Sequence, residues 1–101
     1  MKSFLLAAVL SLITMTSANA LTEHEICVVI AETAYQAQTQ QRAGYTLDEV
    51  IENVQSNRNE ENLELIGMVI TVTQGVYETY RQDAPEMLVA IDAYTKCMEA
   101  P

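Results

Sequence analysis

The stretch "LTEHEIC", residues 21–27, sets the only histidine of the chain, His24, between Glu23 and Glu25 and three positions before Cys27. An imidazole, two carboxylates and a thiol are the groups from which metal centres and acid–base or nucleophilic sites are built. Each of those uses has a further requirement. A zinc site needs additional converging ligands, and the chain offers no second histidine and no CxxC spacing. A nucleophilic thiol has to be free, whereas Cys27 has one other cysteine, Cys97, available as a partner. The same residues also satisfy a structural pattern: Thr22 and Glu25 form a capping box, with Leu21 and Ile26 at the positions of a hydrophobic staple. On that reading His24 is an exposed first-turn residue whose loss changes nothing measurable.

Whether Cys27 is free turns on the compartment. Lys2, the apolar run "FLLAAVLSLI" and the small residues "ANA" ending at Ala20 stand in the order of a secretory signal. Cleavage after Ala20 is expected, with a periplasmic or secreted product. The run is short of the roughly 20 apolar residues that span a bilayer, so no retained anchor is expected. Residues 21–101 then form one domain, small enough to need a staple beyond its hydrophobic core. In an exported chain two cysteines read as a disulfide, Cys27–Cys97. Closing so long a loop is worth on the order of 4 kcal/mol in the chain-entropy model.

All fourteen carboxylates lie in that mature part, against Arg42, Arg58, Arg81 and Lys96, a net charge of −10. Such a balance argues against nucleic acid and against anionic membrane surfaces. It suits a protein partner with a basic surface. The oligomeric state is left open.

Helical punctuation recurs along the chain. The apolar spacing from Ile26 to Ala37 predicts a first helix over residues 23–43, stopped by Gly44. Thr46 and Glu49 repeat the capping box, with Tyr45 and Val50 as staple, for a second helix over 47–56. The run "QSNRNEEN" reads as a loop, with Asn59 as N-cap of a third helix. "LIGMVITVTQGVYETY" is rich in β-branched residues and carries Gly67 and Gly75, so residues 63–80 admit one helix, a helix kinked near Gly75, or part strand. Its stripe at period 3.6 and the want of a partner strand favour the helix. Asp83 as cap, Pro85 in the first turn and Glu86 reaching back predict a fourth helix, with Met87, Leu88, Ile91, Tyr94 and Met98 as its buried face. The expected fold is all-α: a small four-helix, bundle-like domain, irregular or orthogonal in packing, pinned by Cys27–Cys97 between its first and last helices.

The spacing Cys27, Ala31, Ala34, Gly44, Leu47, with "YTKC" (Tyr94 to Cys97) near the end, resembles a group of small exported two-cysteine helical proteins of phages, prophages and proteobacteria. The resemblance covers nearly all of residues 21–101 and implies a disulfide-pinned helical domain; it implies no activity. The chain departs from the pattern at "VYETY", where the group has "AY" followed by a Pro-containing segment.

No catalytic grouping stands out. Asp48/Glu49 and Glu60/Glu61 are sequence neighbours that diverge on a helix and suit first turns, where the helix dipole favours acids. "NRNEEN" supplies too few oxygens in a loop for calcium. No phosphate-binding glycine loop is present, and no cofactor is expected. Two binding functions remain. One is a non-enzymatic module that docks on a protein partner, similar in outline to the periplasmic immunity proteins with which phages inhibit an incoming lysozyme. Tyr35, Tyr45, Tyr77, Tyr80 and Tyr94 are its candidate contact residues, each with the competing role of an amphipathic core edge. The other is an acid-stress periplasmic chaperone that loosens as carboxylates protonate, for which four cations are few.

Overall fold

A computed structural model describes residues 22–100. The expected signal segment, and Leu21 of the first staple, lie outside them. The elements in order are α1 (Glu23–Arg42), α2 (Leu47–Gln55), α3 (Leu63–Thr79) and α4 (Glu86–Glu99), with no strand among the described residues.

Both capping boxes form. Thr22 Oγ1 accepts from the Glu25 N–H at 3.2 Å while the Thr22 N–H donates to Glu25 Oε1 at 3.1 Å. Thr46 and Glu49 do the same at 3.1 and 2.9 Å. Gly44 follows α1 at φ +96°, a left-handed conformation that favours glycine. Tyr45 packs against the cluster containing Val50, as its staple position requires.

The third segment is one uninterrupted helix through Gly75. Ile66, Val69, Thr73 and Val76 recur at helical period and are buried, and that burial outweighs the weak helix preference of a β-branched run. The Thr71 and Thr73 hydroxyls donate to the carbonyls of Gly67 and Val69, four residues back, so neither competes with the helix for a partner elsewhere.

Two expected caps are displaced. Asn59 does not cap α3. It closes a turn one step earlier, its Oδ1 accepting from the Glu61 and Asn62 N–H groups at 2.8 and 3.1 Å. Glu60 and Glu61 therefore sit in that turn, ahead of the first turn of α3. Asp83 does not cap α4 either. It pairs with Arg81 at 3.4 Å on an exposed linker, and Pro85 takes the cap position with ψ 133°, so the helix opens at Glu86. The linker is held from below instead: the buried Gln38 amide donates to the carbonyls of Arg81 and Ala84 at 2.8 and 2.9 Å.

The packing is irregular. α1 is the central helix, with α4 and α3 laid against it, while α2 packs chiefly on α3. One core cluster joins Val50 and Val54 of α2 to Ile66 and Val69 of α3. The other joins Ala34 and Ala37 of α1 to Val76 of α3 and Val89 of α4. The result is a slab with extents of 35 × 32 × 17 Å. Cys27 and Cys97 form the disulfide, Cα atoms 5.5 Å apart, tying the start of α1 to the end of α4.

The predicted buried face of α4 is wrong. Met87, Leu88, Ile91 and Met98 are 58, 62, 54 and 47% exposed, and Tyr94 is half-buried. Val89 and Ala90 face the core. The helix is rotated so that its smaller apolar stripe meets Ala34 and Ala37, where short side chains let two helix backbones approach.

Candidate functional site

The rotation of α4 leaves an apolar strip in solvent. Met87, Ile91, Tyr94 and Met98 recur at i, i+4, i+7 and i+11, which puts them on one side of the helix, with Leu88 beside them. At about 1.5 Å per residue the strip is roughly 16 Å long. Four large apolar side chains about half exposed on a single helix are more than scattered surface hydrophobes, and a run of this kind marks an interaction surface.

α1 forms one edge of the strip. The Tyr94 hydroxyl meets His24 Nδ1 at 3.0 Å, the two rings edge to face with centroids 5.9 Å apart. His24 is therefore exposed, as the sequence predicts, but not idle: it links the outer side of α4 to the first turn of α1. Val28, one turn further along α1, is 36% exposed and extends the apolar area. Arg42 closes the other end with an ion pair to Glu86. Charges frame the strip lengthwise. Glu23 borders Met98 in a shallow depression beside the disulfide, and Glu99 follows Met98. Asp83 and Glu86 stand before Met87. The Glu86 carboxyl is held below its ordinary range first by its own backbone N–H and then by the Arg42 guanidinium, with partial burial opposing both.

The sequence-predicted tyrosines do not gather on this surface. The Tyr77 hydroxyl donates to the Tyr45 carbonyl at 2.7 Å, and both residues pack on the α2–α3 cluster. Burial, and then the Glu49 carboxylate, push Tyr77 up to about 12. Tyr80 packs on the other cluster, and its hydroxyl donates to Asp92 on α4. Lys96 completes that group, 3.0 Å from Asp92 and 6.0 Å from the centre of the Tyr80 ring. The Tyr80 hydroxyl and then Lys96 lower the Asp92 carboxyl, while the Asp92 carboxylate raises Lys96. Tyr35 is half-buried on α1, its carbonyl accepting from the Thr39 hydroxyl. Of the five, Tyr94 alone has its hydroxyl at the edge of the α4 strip.

Reading the sequence by residue size missed the strip, yet a signal for it was present. A disulfide turns Cys97 inward, and stepping back from it by helical turns gives Ala93, Ala90 and Val89 as the inner face. Met87, Leu88, Ile91 and Met98 then fall outside.

Among the described residues no three metal-ligating side chains converge, and no helix is long and apolar enough to cross a membrane. No family model, curated protein or solved structure matches the chain.

Proposed function

We propose that this chain is an exported, non-enzymatic binding module that docks through the outer strip of α4 on a protein partner with an apolar contact patch and a basic rim. The observation that carries the reading is the 47–62% exposure of Met87, Leu88, Ile91 and Met98 on one helix. Methionines suit such a surface, because their unbranched thioethers adapt to a partner's contour. Glu23 and Glu99 at the Met98 end of the strip, on a domain of net charge −10, set the sign of the rim. The same charge disfavours a second copy of the chain as occupant, since like charges would be brought together. The signal expected in residues 1–20, the disulfide and the resemblance in outline to phage immunity proteins make a basic muramidase the first partner to test.

Titration calorimetry against a basic lysozyme, with lysis assays alongside, tests this. Ile91→Asp or Leu88→Asp should weaken binding roughly thirtyfold, as expected of a central contact residue. Glu23→Gln with Glu99→Gln should act mainly on the salt dependence and association rate. Binding unaltered by both strip variants would sink the proposal.

A second reading is favoured by one observation: the first half of α4 is tied to its neighbours by two carboxylates, Glu86 to Arg42 and Asp92 to Tyr80. Protonating both would free that half and uncover the Val89 cluster, as an acid-stress chaperone requires. Dye-reported apolar exposure and client aggregation, followed from neutral pH to about pH 2, decide it. Exposure without suppressed aggregation rules the chaperone out.

A further inference from the structure

On the opposite side of α4 from the outer strip an open cleft of about 460 Å³ runs between α1, α3 and α4. Its size falls in the roughly 300–1,000 Å³ range of small-molecule sites. Ile30 of α1, Val72 and Val76 of α3 and Ala93 of α4 supply apolar walls. Gly75 lies among them with open space where a side chain would stand, so the missing side chain is what leaves that part of the cleft empty. Nothing in the packing forbids a larger residue at this helix position. Among the lining residues one is charged, Lys96, and Thr79 and Tyr80 are polar.

We propose that this cleft binds a small aliphatic carboxylate, its chain lying over Gly75 between the walls and its head group on Lys96. The occupant follows from charge and shape. Lys96, the one charged residue of the lining, stands at the rim of an apolar trough and offers an N–H donor to an anion on an unbranched chain. Asp92 and the Tyr80 hydroxyl already engage Lys96, but an ammonium has three N–H donors, so one is left for a ligand. Asp92 in turn is fixed by the Tyr80 hydroxyl, which holds Lys96 in place before the ligand arrives. The proposal concerns a different surface from the protein-docking strip and stands or falls separately.

The experiment is an NMR titration of the oxidised protein, purified from an exporting host, with decanoate below its micelle-forming concentration. Decanol and decyltrimethylammonium serve as neutral and cationic comparators. Saturable binding is expected, with amide shifts centred on Gly75, Thr79, Ala93 and Cys97. Lys96→Gln should weaken decanoate about tenfold while leaving decanol unchanged. Gly75→Leu should remove binding of both, and Ile91→Asp on the outer strip should affect neither. Shifts centred on Met87, Leu88 and Ile91 with none at Gly75 and Thr79, unchanged binding in a folded Gly75→Leu protein, or tighter binding of the cation would overturn the proposal. Should Gly75→Leu fail to fold, the shift map and the Lys96→Gln comparison in the otherwise native protein decide alone. Phosphatidylglycerol vesicles provide the last arm: co-sedimentation without binding of monomeric decanoate would assign the surface to a membrane and overturn the proposal.

Discussion

The Tyr77 hydroxyl, donating to the Tyr45 carbonyl at 2.7 Å, shows how a residue that reads as a contact candidate can serve the fold. Its pKa of about 12 in the folded chain lies above the ordinary value of 10. A folded-state pKa raised in this way contributes stability that is complete below pH 10 and is lost as pH rises towards 12. Tyr80 and Lys96, both raised as well, act in the same direction. Tyr77→Phe should therefore lower stability by about 1 kcal/mol at neutral pH, the usual worth of one hydrogen bond, and should also reduce the alkaline decline without abolishing it. Urea unfolding at neutral pH and at about pH 11 measures both effects, and an alkaline slope equal to the parent's would contradict the assignment. Gly75 makes the opposite case. Gly75→Ala should raise stability by about 0.5–1 kcal/mol, because the helix gains a better former and the new Cβ meets open space. A thermal melt that shifts downward would show that the site is tighter than it looks.

At the scale of elements, what could be read from the chain was what is decided locally. Thr22 and Glu25, or Thr46 and Glu49, find each other within one turn, so their capping boxes are legible without knowledge of the rest. Gly44 is legible for the same reason. The cap of α4 departs from expectation because a distant contact intervenes: Gln38 reaches across more than forty residues to hold the 81–84 linker, and nothing in its neighbourhood marks it as buried. That of α3 departs because Asn59 and Asn62 compete within one local turn. The phase of α4 failed on a different ground. The helix carries two apolar stripes, one large and one small, and size alone picks the wrong one. The small side chains of α1, Ala34 and Ala37, choose the other. This phase makes a sharp prediction. Ile91→Asp should change stability by less than about 0.5 kcal/mol, as surface substitutions do. Ala34→Val, which crowds a position with no exposed area, should cost about 1–3 kcal/mol. Equal losses from the two variants, read by denaturant midpoints, would put α4 back in its expected rotation and remove the docking strip with it.

For the molecule as a whole, acid sets two effects against each other. Fourteen carboxylates give the chain a strong negative charge, and protonation relieves that self-repulsion. Glu86 and Asp92 work the other way. Both carboxyls are depressed in the folded state, Glu86 by its own N–H and Arg42, Asp92 by Tyr80 and Lys96. A depressed carboxyl contributes stability that is present above its unfolded value, about 4, and lost as pH falls through the lower folded one. Stability should therefore hold or rise on mild acidification and fall below about pH 4. The fall should also be uneven along α4. Its first half depends on those two carboxylates, whereas its last turns are tied covalently by Cys27–Cys97. Hydrogen exchange at about pH 3 should show the amides of residues 89–92 opening before those of 95–99. Reduction of the disulfide should remove that difference and lower stability by on the order of 4 kcal/mol. Uniform exchange along α4 in the oxidised protein would mean that the carboxylate ties carry little weight. The chaperone reading would then lose its physical basis, while docking through the outer strip, which needs α4 to stay in place, would be unaffected.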